Sequence, residues 1–125
     1  MPIVDVELVE DDGVHGAPSR HTTQALADAL GGVFGSSRAG TWVRMRYLPR
    51  DAYAENDATL ATDIRPVFVT VLKSSWPSRE MMQDEIMRIT EAVATLVERP
   101  EENVHVLYLP EAAGRIAFGG KLRVS

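Results

Sequence analysis

A chain of 125 residues, 45% of them hydrophobic and 25% charged, has the composition of one compact globular domain with enough apolar side chains for a core. It contains no cysteine, which excludes disulfides, thiolate nucleophiles and thiolate metal sites, and nothing in it calls for an oxidising compartment. A net charge of −5 argues against nucleic acid as a partner, and the longest apolar runs, such as Val67 to Leu72, are too short to span a bilayer, so a cytoplasmic protein without membrane contact is expected.

The chain opens Met1-Pro2-Ile3-Val4-Asp5-Val6-Glu7-Leu8. Met before a small residue such as Pro is ordinarily trimmed, so the mature chain is expected to begin at the secondary amine of Pro2. An α-amino group titrates near ~7.7 to 8, and an apolar pocket or a neighbouring cation lowers that value. A neutral, fixed amine can then act as a base at pH 7. Proline also suits the first position of a strand, where no ladder donor is needed, and these residues alone leave both readings open.

Residues 3 to 9 alternate as a strand does, with Asp5 and Glu7 on one face, either solvated or paired with arginines. His15 and His21 have no ligand partner at helical spacing, and no metal or other cofactor is expected. A helix over roughly 19 to 34 presents Leu26, Ala29/Leu30 and Val33/Phe34, although Gly31-Gly32 weakens its last turn and could end it early. Residues 42 to 48 form a second strand with Val43, Met45 and Tyr47 on one face and Arg44 and Arg46 on the other. Arg38, Arg44, Arg46 and Arg50 are either an anion site or scattered surface charge.

Val67 to Leu72 and Val104 to Leu109 are more continuously apolar, as strands covered on both faces are. Between them Ser78 can cap a helix over about 79 to 98, ending before Pro100. Its first turn carries Glu80, and Met82, Ile86, Ile89, Val93 and Leu96/Val97 recur at spacings of three and four. Gly119-Gly120 suits a tight turn.

Laid on itself, the chain repeats. Pro2-Ile3 and the apolar run after it return at Pro66-Val67, Pro18-Ser19-Arg20 returns at Pro77-Ser78-Arg79, and the strand Val43 to Pro49 returns at Val104 to Pro110. Changes of offset fall in the connections, as a duplicated unit would show. The expected fold class is therefore α+β. It is a single domain over 1–125 made of two fused β-α-β units, 2–65 and 66–125. They form a four-stranded mixed sheet with two helices on one face. The other face keeps apolar side chains that something must cover, and self-association of the sheets is the economical answer.

Met1-Pro2-Ile3, the duplicated unit with Pro66 echoing Pro2, and the ending Val104 to Glu111 followed by Gly114-Arg115-Ile116-Ala117-Phe118-Gly119-Gly120-Lys121-Leu122 resemble the tautomerase superfamily over nearly the whole chain. The closest likeness is to 4-oxalocrotonate tautomerase with two subunits fused; the chain also resembles the trimeric members built from a duplicated unit. The resemblance implies a homotrimer with pockets between subunits and a cofactor-independent keto-enol tautomerase or isomerase acting on enols of 2-oxo acids, with Pro2 as general base. Pro66 would be inert, because its nitrogen is an amide. Arg44 and His105 match the place of a carboxylate-binding cation in the two halves, and Lys73 matches a position lining the proline pocket.

Departures from the family narrow the substrate. Where 4-oxalocrotonate tautomerase has a second carboxylate-binding arginine, this chain has Asp12 and Trp76. The water-activating tyrosine and glutamate of the dehalogenase and hydratase branches are matched by Leu107 and Pro110, and the paired arginines of the decarboxylase branch by Ser74 and Trp76. A single-carboxylate substrate whose apolar body stacks near Trp76, Ile116 or Phe118 is expected. Trp76 also suits plain packing at a helix start, and His105 a histidine satisfied by backbone. A Pro2-dependent decarboxylase, dehalogenase or hydratase of small carboxylates, or a non-enzymatic trimeric binding protein of the same fold, remain the alternatives.

Overall fold

The computed structural model describes residues 1–10, 18–58 and 65–124; Asp12 and His15 lie outside them. In chain order the elements are β1 (Ile3–Val9), α1 (Arg20–Phe34), β2 (Trp42–Leu48), β3 (Val67–Leu72), α2 (Arg79–Val97), β4 (Val104–Tyr108), β5 (Ile116–Phe118) and β6 (Lys121–Arg123), with single 3-10 turns at Arg50–Ala52 and Glu101–Asn103. The first six form the expected α+β repeat. The sheet runs β2-β1-β3-β4, with β1/β2 and β3/β4 parallel and the two central strands, β1 and β3, antiparallel.

Alternation decides which face is buried. Val4, Val6 and Leu8 of β1 and Val67, Val69 and Val71 of β3 point to the helices, where Leu26 and Leu30 of α1 and Ile89 and Val93 of α2 close over them. Each of these ten side chains is at most 3% exposed, so a truncation among them would cost about 2–5 kcal/mol for a Leu or Ile cut to Ala.

Both helices start where their serines place them: Ser19 accepts a hydrogen bond from the Thr22 amide and Ser78 one from the Met81 amide. Gly31-Gly32 does not end α1. Two glycines cost about 1 kcal/mol each against alanine, but Leu30 is fully buried and Phe34 packs on the core, so the apolar face carries the helix through. It stops at Gly35, whose φ of 63° is left-handed and whose amide reaches back to the Gly31 and Gly32 carbonyls.

The strand pairing corrects one reading of the repeat. Val4 lies beside Val43 in the first unit and Val67 beside Val104 in the second, and Val43 and Val104 are equivalent through the match of Tyr47-Leu48-Pro49 to Tyr108-Leu109-Pro110 that follows them. Val4 therefore corresponds to Val67, and Pro2 corresponds to Arg65. Pro66 stands one residue out of that alignment, at the place of Ile3. The sequence match misleads because β3 carries apolar residues on both faces, so a one-residue slip leaves its composition unchanged.

β3 and β4 are also not buried on both faces within one chain. Phe68, Thr70 and Leu72 are half-buried, His105 is exposed and Leu107 is 62% exposed. Part of this outer face is shielded by the segment after β2, whose Tyr53 ring lies 5.9 Å from that of Phe68.

A last feature lies beyond the expected four strands. β5 and β6 form a separate antiparallel hairpin in which Phe118 pairs with Lys121, leaving Gly119 and Gly120, at φ 58° and 84°, as a two-residue loop. Positive φ at both positions is the requirement of a type I′ turn, which is why two glycines stand there. The Gly114 amide closes the open end of the hairpin by donating to the Arg123 carbonyl, and the hairpin meets the body where Phe118 packs on Trp42 edge to face at 5.4 Å. Among the described residues no helix is long and apolar enough to cross a membrane.

Candidate active site

The register of the two central strands builds the site. Ile3 pairs with Leu72, so one step beyond the ladder Pro2 and Lys73 leave the sheet side by side. Pro2 is buried, and its carbonyl accepts from the Trp42 amide at 3.0 Å, which fixes the start of β1 against β2. A cavity of ≈ 620 Å³ opens at this end of the sheet. Its walls are Met1 and Pro2, Phe34 at the end of α1, Ser36, Ser37 and Gly40 between α1 and β2, residues 73–77 between β3 and α2, and Arg123 of the hairpin.

Lys73 is the cation that the strand register sets beside Pro2, and it is held. Its ammonium donates to both carboxylate oxygens of Glu85, at 3.1 and 3.2 Å, and lies 5.2 Å from the centre of the Phe34 ring. The Tyr108 hydroxyl donates to the same carboxylate. Trp76 is 46% exposed in the cavity wall. It is anchored twice: its backbone amide donates to Glu111 at 2.7 Å and its indole N–H to the Leu109 carbonyl at 3.0 Å. That is a rigid apolar plate, suited to stacking against the flat part of a substrate.

The other sequence-expected site residues stand elsewhere in the chain. Arg44, on the outer sheet face, is directly opposite Asp5 in the parallel register and donates to it through Nε at 2.6 Å and a terminal nitrogen at 2.9 Å. That hydrogen bond, then the carboxylate's charge, holds the guanidinium still more firmly protonated than usual. Arg46 repeats the arrangement with Glu7 at 2.8 Å, so these two arginines are not a bare anion site. His105 faces the same way, its ring 5.8 Å from Phe68. Ile116 lines a different hollow, with Leu72, Leu109 and Pro110, and Phe118 rests on Trp42. Within one chain, then, Pro2, Lys73 and Trp76 come together, and Arg44, His105, Ile116 and Phe118 do not join them.

Sequence reasoning missed Glu85, Tyr108, Phe34 and Arg123 as neighbours of the site. Glu85 had a legible signal: it falls three residues after Met82 and four before Ile89, on the edge of the stripe that faces the sheet, where an unpaired acid is costly. Burial, followed by the hydrogen bond to Glu85 and its negative charge, pushes the Tyr108 phenol well above its ordinary value. An acid whose folded pKa lies above its unfolded one contributes stability that is complete below the unfolded value, about 10, and is lost as pH rises past it. Thermal melts between pH 10 and 12 should therefore show a steeper fall for the native chain than for Tyr108→Phe.

No family model matches the sequence, and no curated protein does. Solved structures do match. The F6 fused 4-OT, solved as an asymmetric trimer, superposes with a TM-score of 0.74 at 15% identity, over 96% of this chain and 94% of that one. FG41 malonate semialdehyde decarboxylase, inhibited by 3-bromopropiolate, gives 0.67 at 19% identity over 94% and 88%. The macrophage migration inhibitory factor of Trichinella spiralis gives 0.69 at 10% identity over 95% and 97%. At these identities the likeness is one of architecture, and it spans the chain: the protein has the fold that fused 4-OT, malonate semialdehyde decarboxylase and macrophage migration inhibitory factor share, the one expected from its N-terminal proline and repeated unit.

Proposed function

We propose that this protein is a cofactor-independent keto-enol tautomerase or isomerase of 2-oxo acid enols, with the Pro2 amine, freed by loss of Met1, as general base. The observation that carries the reading is the pairing of Ile3 with Leu72, which sets Pro2 and Lys73 together at the mouth of one cavity. In the reaction the Pro2 nitrogen accepts the enol O–H proton and its ammonium form returns a proton to the alkene carbon next to the one that bears that oxygen, so the substrate is isomerised and the amine regenerated. The Lys73 N–H groups would hold a substrate oxygen, and the anchored Trp76 face would take an apolar body. Arg44, His105, Ile116 and Phe118 act in this reading only from a neighbouring copy. They stand on the outer sheet face and the hairpin, which a second and third chain would cover in a homotrimer.

One preparation tests the reading. Intact-mass measurement should find Met1 absent, light scattering should give three times the 13.8 kDa chain mass, and ketonisation of phenylenolpyruvate should be accelerated. Turnover with Met1 fully retained would refute Pro2 as the base, and turnover by a stable monomer would refute the shared pocket. A second reading, Pro2-dependent decarboxylation, draws on the likeness to a malonate semialdehyde decarboxylase; carbon dioxide released from a 3-oxo acid without ketonisation of the enol would favour it.

A further inference from the structure

The cation beside Pro2 is not a bare charge. Lys73 and Glu85 are 19% and 13% exposed, and the contact between them uses both carboxylate oxygens. An ammonium has three N–H donors, and its contact with Glu85 leaves at least one of them over. Glu85 does not line the Pro2 cavity. It lines the adjoining hollow between α1 and α2, which Lys73 and Phe34 also line, so the Lys73 head forms the partition between the two. On the far side Tyr108 donates to Glu85, holding the carboxylate from behind.

We propose that Glu85 is a positioning residue for Lys73: it fixes the ammonium in the wall of the Pro2 cavity and offsets its charge, so that Pro2 and a substrate meet one N–H of a near-neutral pair. Such a donor suits the carbonyl or enol oxygen of a 2-oxo acid better than it suits a carboxylate, which gains most from an uncompensated cation. The other charged groups around the pair are Arg123, which lines the Pro2 cavity, and Glu80, Asp84 and Arg88, which line the adjoining hollow. None of them appears between Lys73 and Glu85.

The inference rests on Pro2 being the reacting amine, and its sign is fixed by electrostatics. A cation near an amine lowers the amine's pKa and an anion raises it. Glu85→Gln removes the anion and leaves Lys73 uncompensated, so the Pro2 amine should titrate lower. Lys73→Met leaves Glu85 uncompensated, so it should titrate higher. Removing both charges together should return it close to the native value.

The measurement is the pH dependence of N-terminal alkylation by iodoacetamide, located by peptide mass spectrometry. The reagent is neutral, no cysteine competes for it, and no turnover is needed. The expected result is a shift of roughly half a unit or more downward for Glu85→Gln and upward for Lys73→Met, with the double variant within about 0.3 of native. No shift, or an upward one, in Glu85→Gln overturns the inference. Should that variant fail to fold, the neutral double variant decides: a titration matching Lys73→Met alone means Glu85 does nothing for the pair and sinks the proposal. A native N-terminus that is not selectively labelled sinks the Pro2 reading as well. Selective labelling that is unchanged by Glu85→Gln sinks this inference alone.

Discussion

Pro2→Ala is expected to lower kcat for ketonisation of phenylenolpyruvate by ~10²-fold or more, within the usual span for a general acid–base group. Alanine at that position still offers an amine after Met1 is removed, so the comparison is between two bases and not between a base and none. What changes is the ring. Proline fixes its own φ and holds the nitrogen at one angle to the ladder that begins at the Pro2 carbonyl. A primary amine on alanine rotates, carries more water and has a different basicity. The loss should fall on kcat more than on KM, because the amine is asked to act in the transition state rather than to hold the ground state. Stability should hardly move, since only the ring atoms leave. Native turnover in Pro2→Ala would remove the amine from the mechanism.

Lys73→Ala should produce the largest loss of stability among site substitutions. Its partner Glu85 is 13% exposed and would be left with Tyr108 as its remaining hydrogen-bond donor from the cluster. Removing one member of a buried pair strands the other charge, at a cost of about 2–3 kcal/mol after allowing for the partial exposure here. In a domain of this size that lowers Tm by about 10 °C. KM for the enol should rise, and the acidic limb of kcat/KM should move to higher pH, since the amine loses a cation that favoured its neutral form. The neutral pair Lys73→Met with Glu85→Gln should recover most of the stability, because both charges leave together. A Lys73→Ala chain that melts with the native protein would show that the pair is solvated and contributes little.

The parts of the fold that were legible are those whose alternation or stripe is sustained over many residues. The 79–98 stripe and the strands at 3–9 and 42–48 could be read because one face of each is buried against a helix or sheet and the other is not, as Val43, Met45 and Tyr47 against Arg44 and Arg46 show. β5 and β6 are three residues each, too short for alternation to register; their signal was the two glycines of their turn. Pro2 was legible as the amine of a trimmed N-terminus, Lys73 by its match to a family position and Trp76 by its departure from one; the strand register sets Pro2 beside Lys73, and Trp76 lines the same cavity. Arg44 and His105 were matched by position along a strand. In one chain that position faces away from the helices, and there Arg44 is engaged by Asp5 and His105 lies against Phe68. Glu85 is not legible in the same way, because the spacing of the apolar residues around it in α2 does not tell an acid held by a buried lysine from a solvated one.

The one-residue displacement between Pro2 and Pro66 means that the two halves are no longer interchangeable parts. A recombination that aligned them on their prolines, copying Pro2 to Leu8 over Pro66 to Leu72, would set Asp5 where Val69 stands and Glu7 where Val71 stands. Those valines are 1% and 0% exposed, against the helices. Two carboxylates would enter the core, each at a cost of several kcal/mol, more than a domain of this size has to spare. An exchange between the halves guided by their sequence likeness would unfold the protein.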